Sequence, residues 1–153
     1  MRQALLVRRL RNGCCTYLTN YRQPIGRLRQ LTWFFRSYRP SYRSGAYRIY
    51  LLTGPGGEAI GYGALQLRET QLYITECIDT AHRGQGHGTA ILQSLIAIAQ
   101  TEGRELIAEI WASNQPSILL HRRAGFELVS TRQHDGQELC VYRHPGGGSA
   151  SSA

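Results

Sequence analysis

His82-Arg83-Gly84-Gln85-Gly86-His87-Gly88-Thr89 lies between an apolar run ending at Ile78 and a strongly apolar segment opening near Thr89. Glycines at alternating positions remove the Cβ atoms that keep a ligand off the backbone, and they allow the positive φ angles of a tight turn. A helix that starts at such a turn offers unpaired N–H groups and the positive end of its dipole, so the stretch reads as an anion cradle. Arg83 adds a full charge beside it. A Walker loop is excluded because the chain contains no lysine. A dinucleotide fingerprint fails in both registers, since its third glycine would fall on Thr89 or Ile91.

Downstream runs Asn114-Gln115-Pro116-Ser117-Ile118-Leu119-Leu120-His121-Arg122-Arg123-Ala124-Gly125-Phe126. Read together, the Arg-x-x-Gly-x-Gly of Arg83, Gly86 and Gly88 and this second stretch resemble the two motifs of the GCN5-related N-acetyltransferase (GNAT) superfamily. Asn114, Ser117, Leu120, Gly125 and Phe126 fall where its second motif has them, and His121 replaces the usual tyrosine. The resemblance covers roughly residues 46 to 143.

The chain of 153 residues is long enough for one core, and the expectation is a single domain over 1–144 with a Gly/Ser/Ala tail over 145–153. Hydrophobic residues make up 42%, yet no run approaches the ~20 residues of a membrane span, and the N-terminal apolar segment is too short for a signal peptide. A cytoplasmic protein is expected. Cys14, Cys15, Cys77 and Cys140 have no paired-ligand spacing; they read as reduced thiols, and no metal site is expected. The net charge of +8 rests on 18 arginines, many of them in the first third, which favours anionic ligands: coenzyme A, an acidic acceptor or RNA.

Ala4 to Leu10 reads as a first strand and residues 14 to 39 as two short helices broken near Pro24. Strands over 47–53 and 59–67 flank the turn Gly54-Pro55-Gly56-Gly57, and a third follows over 72–78. A helix from about Thr89 to Glu102, a strand over 105–112, a helix capped by Asn114, and a hairpin around Asp135-Gly136 complete the order β-αα-βββ-α-β-α-ββ. This is an α/β (α+β) chain with a mixed, mostly antiparallel sheet of about seven strands and helices on both faces, the order of the acetyltransferase fold.

The resemblance implies acetyl-CoA as co-substrate and direct acetyl transfer to a primary amine of a small molecule or peptide. It implies a coenzyme site at Cys77, Ile78, Arg83, Gly84, Gln85, Gly86, His87, Gly88, Thr89, Asn114 and Ser117. Glu76, which interrupts an apolar strand, and Glu109, in a Glu-x-x-x-x-Asn run similar to that of the ribosomal-protein alanine acetyltransferases, both stand as general base; burial would raise a carboxylate toward that task. His121 stands either as proton donor to the departing thiolate or as a helix-surface histidine. Tyr17, Tyr21, Trp33 and Tyr38 read first as core aromatics at helical spacing and stand also as candidates for the acceptor pocket. Family members often dimerise, which leaves a homodimer open. Two rival functions remain: a non-catalytic acyl-CoA-binding regulator, and an RNA-facing protein, including an aminoacyl-tRNA acetyltransferase, using the arginine-rich first third.

Overall fold

The computed structural model describes residues 2–19 and 22–145. Six strands form one sheet in the order β1-β2-β3-β4-β6-β5: β1 (Tyr47–Thr53), β2 (Ala59–Arg68), β3 (Gln71–Ile78), β4 (Leu106–Trp111), β5 (Glu127–His134) and β6 (Gln137–His144). All neighbours are antiparallel except β3 and β4. The crossover between those two carries helix α4 (His87–Thr101), as a parallel pair requires.

The expected first strand is instead helix α1 (Arg2–Gly13). Ala4, Val7 and Leu10 are its buried positions, a spacing of three that matches a helical turn, whereas a strand would bury alternate residues. That change accounts for six strands against the expected seven. Of the two helices expected over 14–39, the one before Pro24 is not formed: residues 14–19 and 22–26 are turn and irregular backbone, and the helix after it is α2 (Arg27–Trp33), which continues through a π-helical turn (Phe34–Tyr38) into α3 (Arg39–Arg43). Tyr21 lies outside the described residues, as does the tail beyond Pro145.

Each face of the sheet has its own core. On one, Leu92, Leu95 and Ala99 of α4 and Ile118 of α5 (Gln115–Arg123) pack on Leu65, Leu72, Ile74, Leu106, Ala108 and Ile110. On the other, Val7, Leu10 and Cys14 of the α1 region cover Ala59, Tyr62, Ala64 and Cys77. Each large apolar side chain so buried contributes about 2 kcal/mol. The close seating of α4 depends on Gly63, where a Cβ would come within 2.8 Å of Ile91 Cγ2.

Two details of the fold shape the site. Strands β3 and β4 pair only at Leu72↔Leu106 and Tyr73↔Ile107, then diverge, so the β4-facing edge of β3 is open from Ile74 onward. The end of α1 is joined to β3 by a Cys14–Cys77 disulfide with a Cα–Cα separation of 6.2 Å, in place of the expected free thiols; Cys15 and Cys140 are free. Packing of α1 across β2 and β3 brings together two cysteines that are 63 residues apart, which spacing rules cannot reveal.

Candidate active site

A cavity of about 820 Å³ runs through the gap between β3 and β4 and reaches both faces of the sheet. One end is the glycine loop. Gly84 and Gly86 have φ of +73° and +83°, and Gly86 is the N-cap of α4. A Cβ at either would meet nothing within 4 Å, so it is the left-handed backbone that calls for glycine here. The first turn of α4 begins immediately behind this loop with its N–H groups unpaired by the helix itself. Thus a glycine cradle, a helix N-terminus and an open strand edge lie along one cavity, a fit for a long ligand with a phosphate at one end and amides along its length.

Arg83, Gly84 and Gly88 line the cavity with Cys77, Ile78, Asn114 and Ser117. Gln85, Gly86, His87 and Thr89 form the loop and first turn behind that lining; Gln85 Nε2 donates to the Ala81 carbonyl, and the His87 ring meets His82 edge-on at 6.2 Å. The Arg83 guanidinium does not stand alone in solvent. It donates to the carbonyls of Ile78 (3.3 Å) and Gly13 (3.4 Å) and lies over the Tyr17 ring at 5.3 Å, bridging the loop and the end of α1. Asn114 makes no side-chain cap to α5; its carbonyl accepts from Ile118 N, and its side chain faces the cavity.

The two glutamates are on opposite faces of the sheet. Glu76 shares its side of β3 with Leu72 and Ile74, facing α4 and α5. Glu109 lies between Ala108 and Ile110 and so faces the other way, toward α1 and α2. Glu109 Oε1 accepts from Arg132 Nη2 at 2.5 Å, and Arg68 Nη1 stands 3.9 Å from Oε2. Arg68 itself lies over the Tyr73 ring, 4.2 Å from its centroid, and is held by Gln66 Oε1.

Glu76 Oε1 is 3.4 Å from His121 Nε2; the His121 side chain is buried and that of Glu76 is 13% exposed. His121 is only 2% exposed, which overturns its reading as a helix-surface residue; Gly125 ends α5 and folds Phe126 against its ring at 5.0 Å. Nδ1 lies 2.8 Å from the Ser117 carbonyl, which can only accept, so Nδ1 carries a hydrogen. Burial pushes the Glu76 carboxyl above the usual carboxylate range, and the charge of His121 opposes that shift in part. Glu76 Oε2 is buried without a hydrogen-bond partner.

Among the aromatic candidates, Tyr17 and Trp33 line the cavity. Tyr38 does not. It stacks on Trp33 at 5.4 Å and lines a separate depression of about 140 Å³. Residues not singled out from the sequence include Arg11, Arg29, buried Gln30, Gln66 and Thr75, all on the cavity wall. Gln66 and Thr75 could have been found by alternation along their strands, as could Arg68 and Arg132; Arg11, Arg29 and Gln30 carried no motif. Among the described residues no group of three His, Cys, Asp or Glu side chains could hold a metal. No helix there is long and apolar enough to cross a membrane.

The model of the acetyltransferase (GNAT) family matches residues 11–126, which takes in the glycine loop, both glutamates and His121. The chain belongs to that family. As a GNAT protein it is an acyl-CoA-dependent N-acetyltransferase. An L-methionine sulfoximine/L-methionine sulfone acetyltransferase of Pseudomonas aeruginosa is 29% identical over 127 residues, covering 76% of this chain and 69% of that protein. Among solved structures, a phosphinothricin acetyltransferase from Sinorhizobium meliloti in complex with acetyl-CoA superposes with a TM-score of 0.76 at 22% identity, over 97% of this chain and 88% of the other. A ribosomal-protein-alanine N-acetyltransferase from Brucella melitensis gives 0.78 at 21%, over 94% of each chain. This GNAT chain therefore has the fold of enzymes that differ widely in acceptor.

Proposed function

We propose that this GNAT chain moves the acetyl group of acetyl-CoA directly to the primary amine of a small acceptor that also carries an anionic group. The observation that carries the reading is a single cavity with the glycine loop and open β3 edge at one side and Glu109 on the opposite face of the sheet. Acetyl-CoA supplies an activated thioester. Backbone N–H groups of the loop and of the α4 N-terminus hold its phosphates, Arg83 adds charge, and the edge at Cys77 and Ile78 pairs with its amides. An N–H on that edge also polarises the thioester carbonyl. Asn114 and Ser117 offer further hydrogen bonds from the α5 side.

Glu109 serves as base. It lies on the face covered by α1 and α2, the side from which an amine enters, and one oxygen is fixed by Arg132 while the other remains beside Arg68. Proton removal through a water suits this arrangement, because the carboxylate is anchored rather than thrust at the substrate. Tyr17 and Trp33 bound the acceptor side. Arg11, which also donates to the Gln23 carbonyl at 3.5 Å, and Arg29 give that wall the charge to suit a carboxylate, phosphinate or similar anion. The relative that acts on L-methionine sulfoximine and L-methionine sulfone supports an amino-acid-like acceptor. An RNA acceptor has less support, since Arg8, Arg9 and Arg48 are engaged with the Ile25 carbonyl, Asp79 and Glu102.

Two measurements test this reading. Calorimetric titration with acetyl-CoA should show binding that Gly86→Glu abolishes; a folded wild type that does not bind would sink the proposal. Release of free thiol should then be followed with L-methionine sulfone and with its methyl ester, and the acid should be preferred at least about 10-fold, the effect of roughly 1.4 kcal/mol from a charged contact.

A further inference from the structure

The GNAT tyrosine of the second motif brings its own proton to the departing thiolate. His121, in its place, cannot be understood alone, because its two nitrogens are already assigned. Nδ1–H is spent on the Ser117 carbonyl, so in the neutral ring Nε2 is a lone pair. Nε2 stands 3.4 Å from Glu76 Oε1. An ionised carboxylate opposite it would set lone pair against lone pair in a buried place. One proton between the two removes the conflict, whichever atom holds it.

We propose that Glu76 and His121 share a single proton on the coenzyme face of the sheet and release it to the thiolate, replacing the tyrosine and leaving Glu109 as the base. The proposal deepens the acetyltransferase reading and rests on it. Both residues line the cavity along with Cys77 and Ile78, so the proton is in the wall the coenzyme follows. The balance closes. The amine nitrogen bonds to the acetyl carbon and its proton goes to Glu109; the carbon–sulfur bond breaks with its electron pair on sulfur; the shared proton then makes the thiol. The emptied pair, a buried carboxylate facing a neutral ring, is unfavourable and takes a proton back from solvent while Glu109 gives one up. Glu76 is thus a positioning residue acting through His121, and its second oxygen, Oε2, remains a free acceptor for a donor on the bound ligand.

Tyr142 and Cys140 of β6 share the core on this face with the pair. Phe126 separates His121 from His144, whose ring is 5.2 Å from that of Phe126. Glu109 points away through the sheet, Gly63 is the β2 neighbour of Glu76, and Ala108 and Ile110 are the β4 side chains on this face. Arg122 and Arg123 follow His121 on α5 but are exposed.

The test has two arms. Nitrogen-15 NMR of labelled histidine in the free protein should show Nδ1 protonated throughout, and a His121 Nε2 titration that moves to lower pH in Glu76→Gln. An unchanged Nε2 titration in a folded variant overturns the proposal, whether or not any acceptor has been found. With acetyl-CoA and L-methionine sulfone, Glu76→Gln should lower kcat by about 10- to 100-fold with little change in the KM for acetyl-CoA, and should shift the alkaline limb of kcat to lower pH. In a His121→Tyr background the same substitution should cost less than about 3-fold, because tyrosine needs no partner. An equal loss in both backgrounds overturns the proposal. If wild type binds acetyl-CoA but acetylates no amine, the failure falls on the acceptor reading, and the NMR arm still decides the shared proton.

Discussion

Glu76 ties the chemistry of the site to the stability of the fold. Its carboxyl is held above the ordinary range by burial, so the native state binds its proton more tightly than the unfolded chain. The sign follows: this contribution is complete below the unfolded value near 4.5 and is lost as pH rises through the higher native value. Thermal melting should therefore show the wild type losing Tm relative to Glu76→Gln as pH rises from about 4.5 through the native value. A constant difference across that range would mean that the carboxyl is not held up by its surroundings. Glu109 behaves differently because its ion pairs keep it anchored. Arg132→Ala should leave the KM for acetyl-CoA nearly unchanged while lowering kcat about 10-fold, as expected for a base that loses its orientation. Steady-state kinetics with varied acetyl-CoA separates the two.

At the scale of elements, the legibility of the sequence divides sharply at residue 46. From Tyr47 onward, period-two strands, the turn pairs and the glycine loop fix local structure within a few residues, and every expected strand and helix is found. Before it, Ala4 to Leu10 satisfies an apolar count that fits either a strand or a helix, and only packing on β2 and β3 decides. The site divides the same way. Arg83, Gly84, Gly88, Asn114, Ser117 and His121 of the motifs reach the cavity, whereas the anchoring arginines of Glu109 come from strands whose neighbours in space are far away in sequence, and the helix-surface alternative for His121 arises from Arg122 and Arg123 beside it. Gly63 gives an element-scale prediction. Gly63→Ala would push on Ile91 and Leu95, shifting α4 at a cost of about 1–3 kcal/mol and weakening acetyl-CoA binding, since α4 presents the loop. Chemical denaturation and calorimetry should move together; normal stability with normal binding would show that α4 adapts without cost.

Across the whole molecule, the Cys14–Cys77 disulfide fastens the α1 layer to the sheet over a separation of 63 residues. On the chain-entropy account, closing a loop of that length stabilises by about 4 kcal/mol. Reduction, or Cys14→Ser with Cys77→Ser, should lower Tm by roughly 10 °C in a domain of this size. Equal melting of oxidised and reduced protein would mean that apolar packing of α1 suffices. The sheet itself acts as a partition, and this bears on how such a catalyst diversifies. On the proposed reading, proton supply to sulfur belongs to one side, built from β3 and α5, and recognition of the amine to the other, built from α1, α2 and the arginines about Glu109. Grafting acceptor-side residues from a relative could retune selectivity while the opposite wall stays untouched, which makes this protein a scaffold whose two halves can be engineered, and can drift, independently.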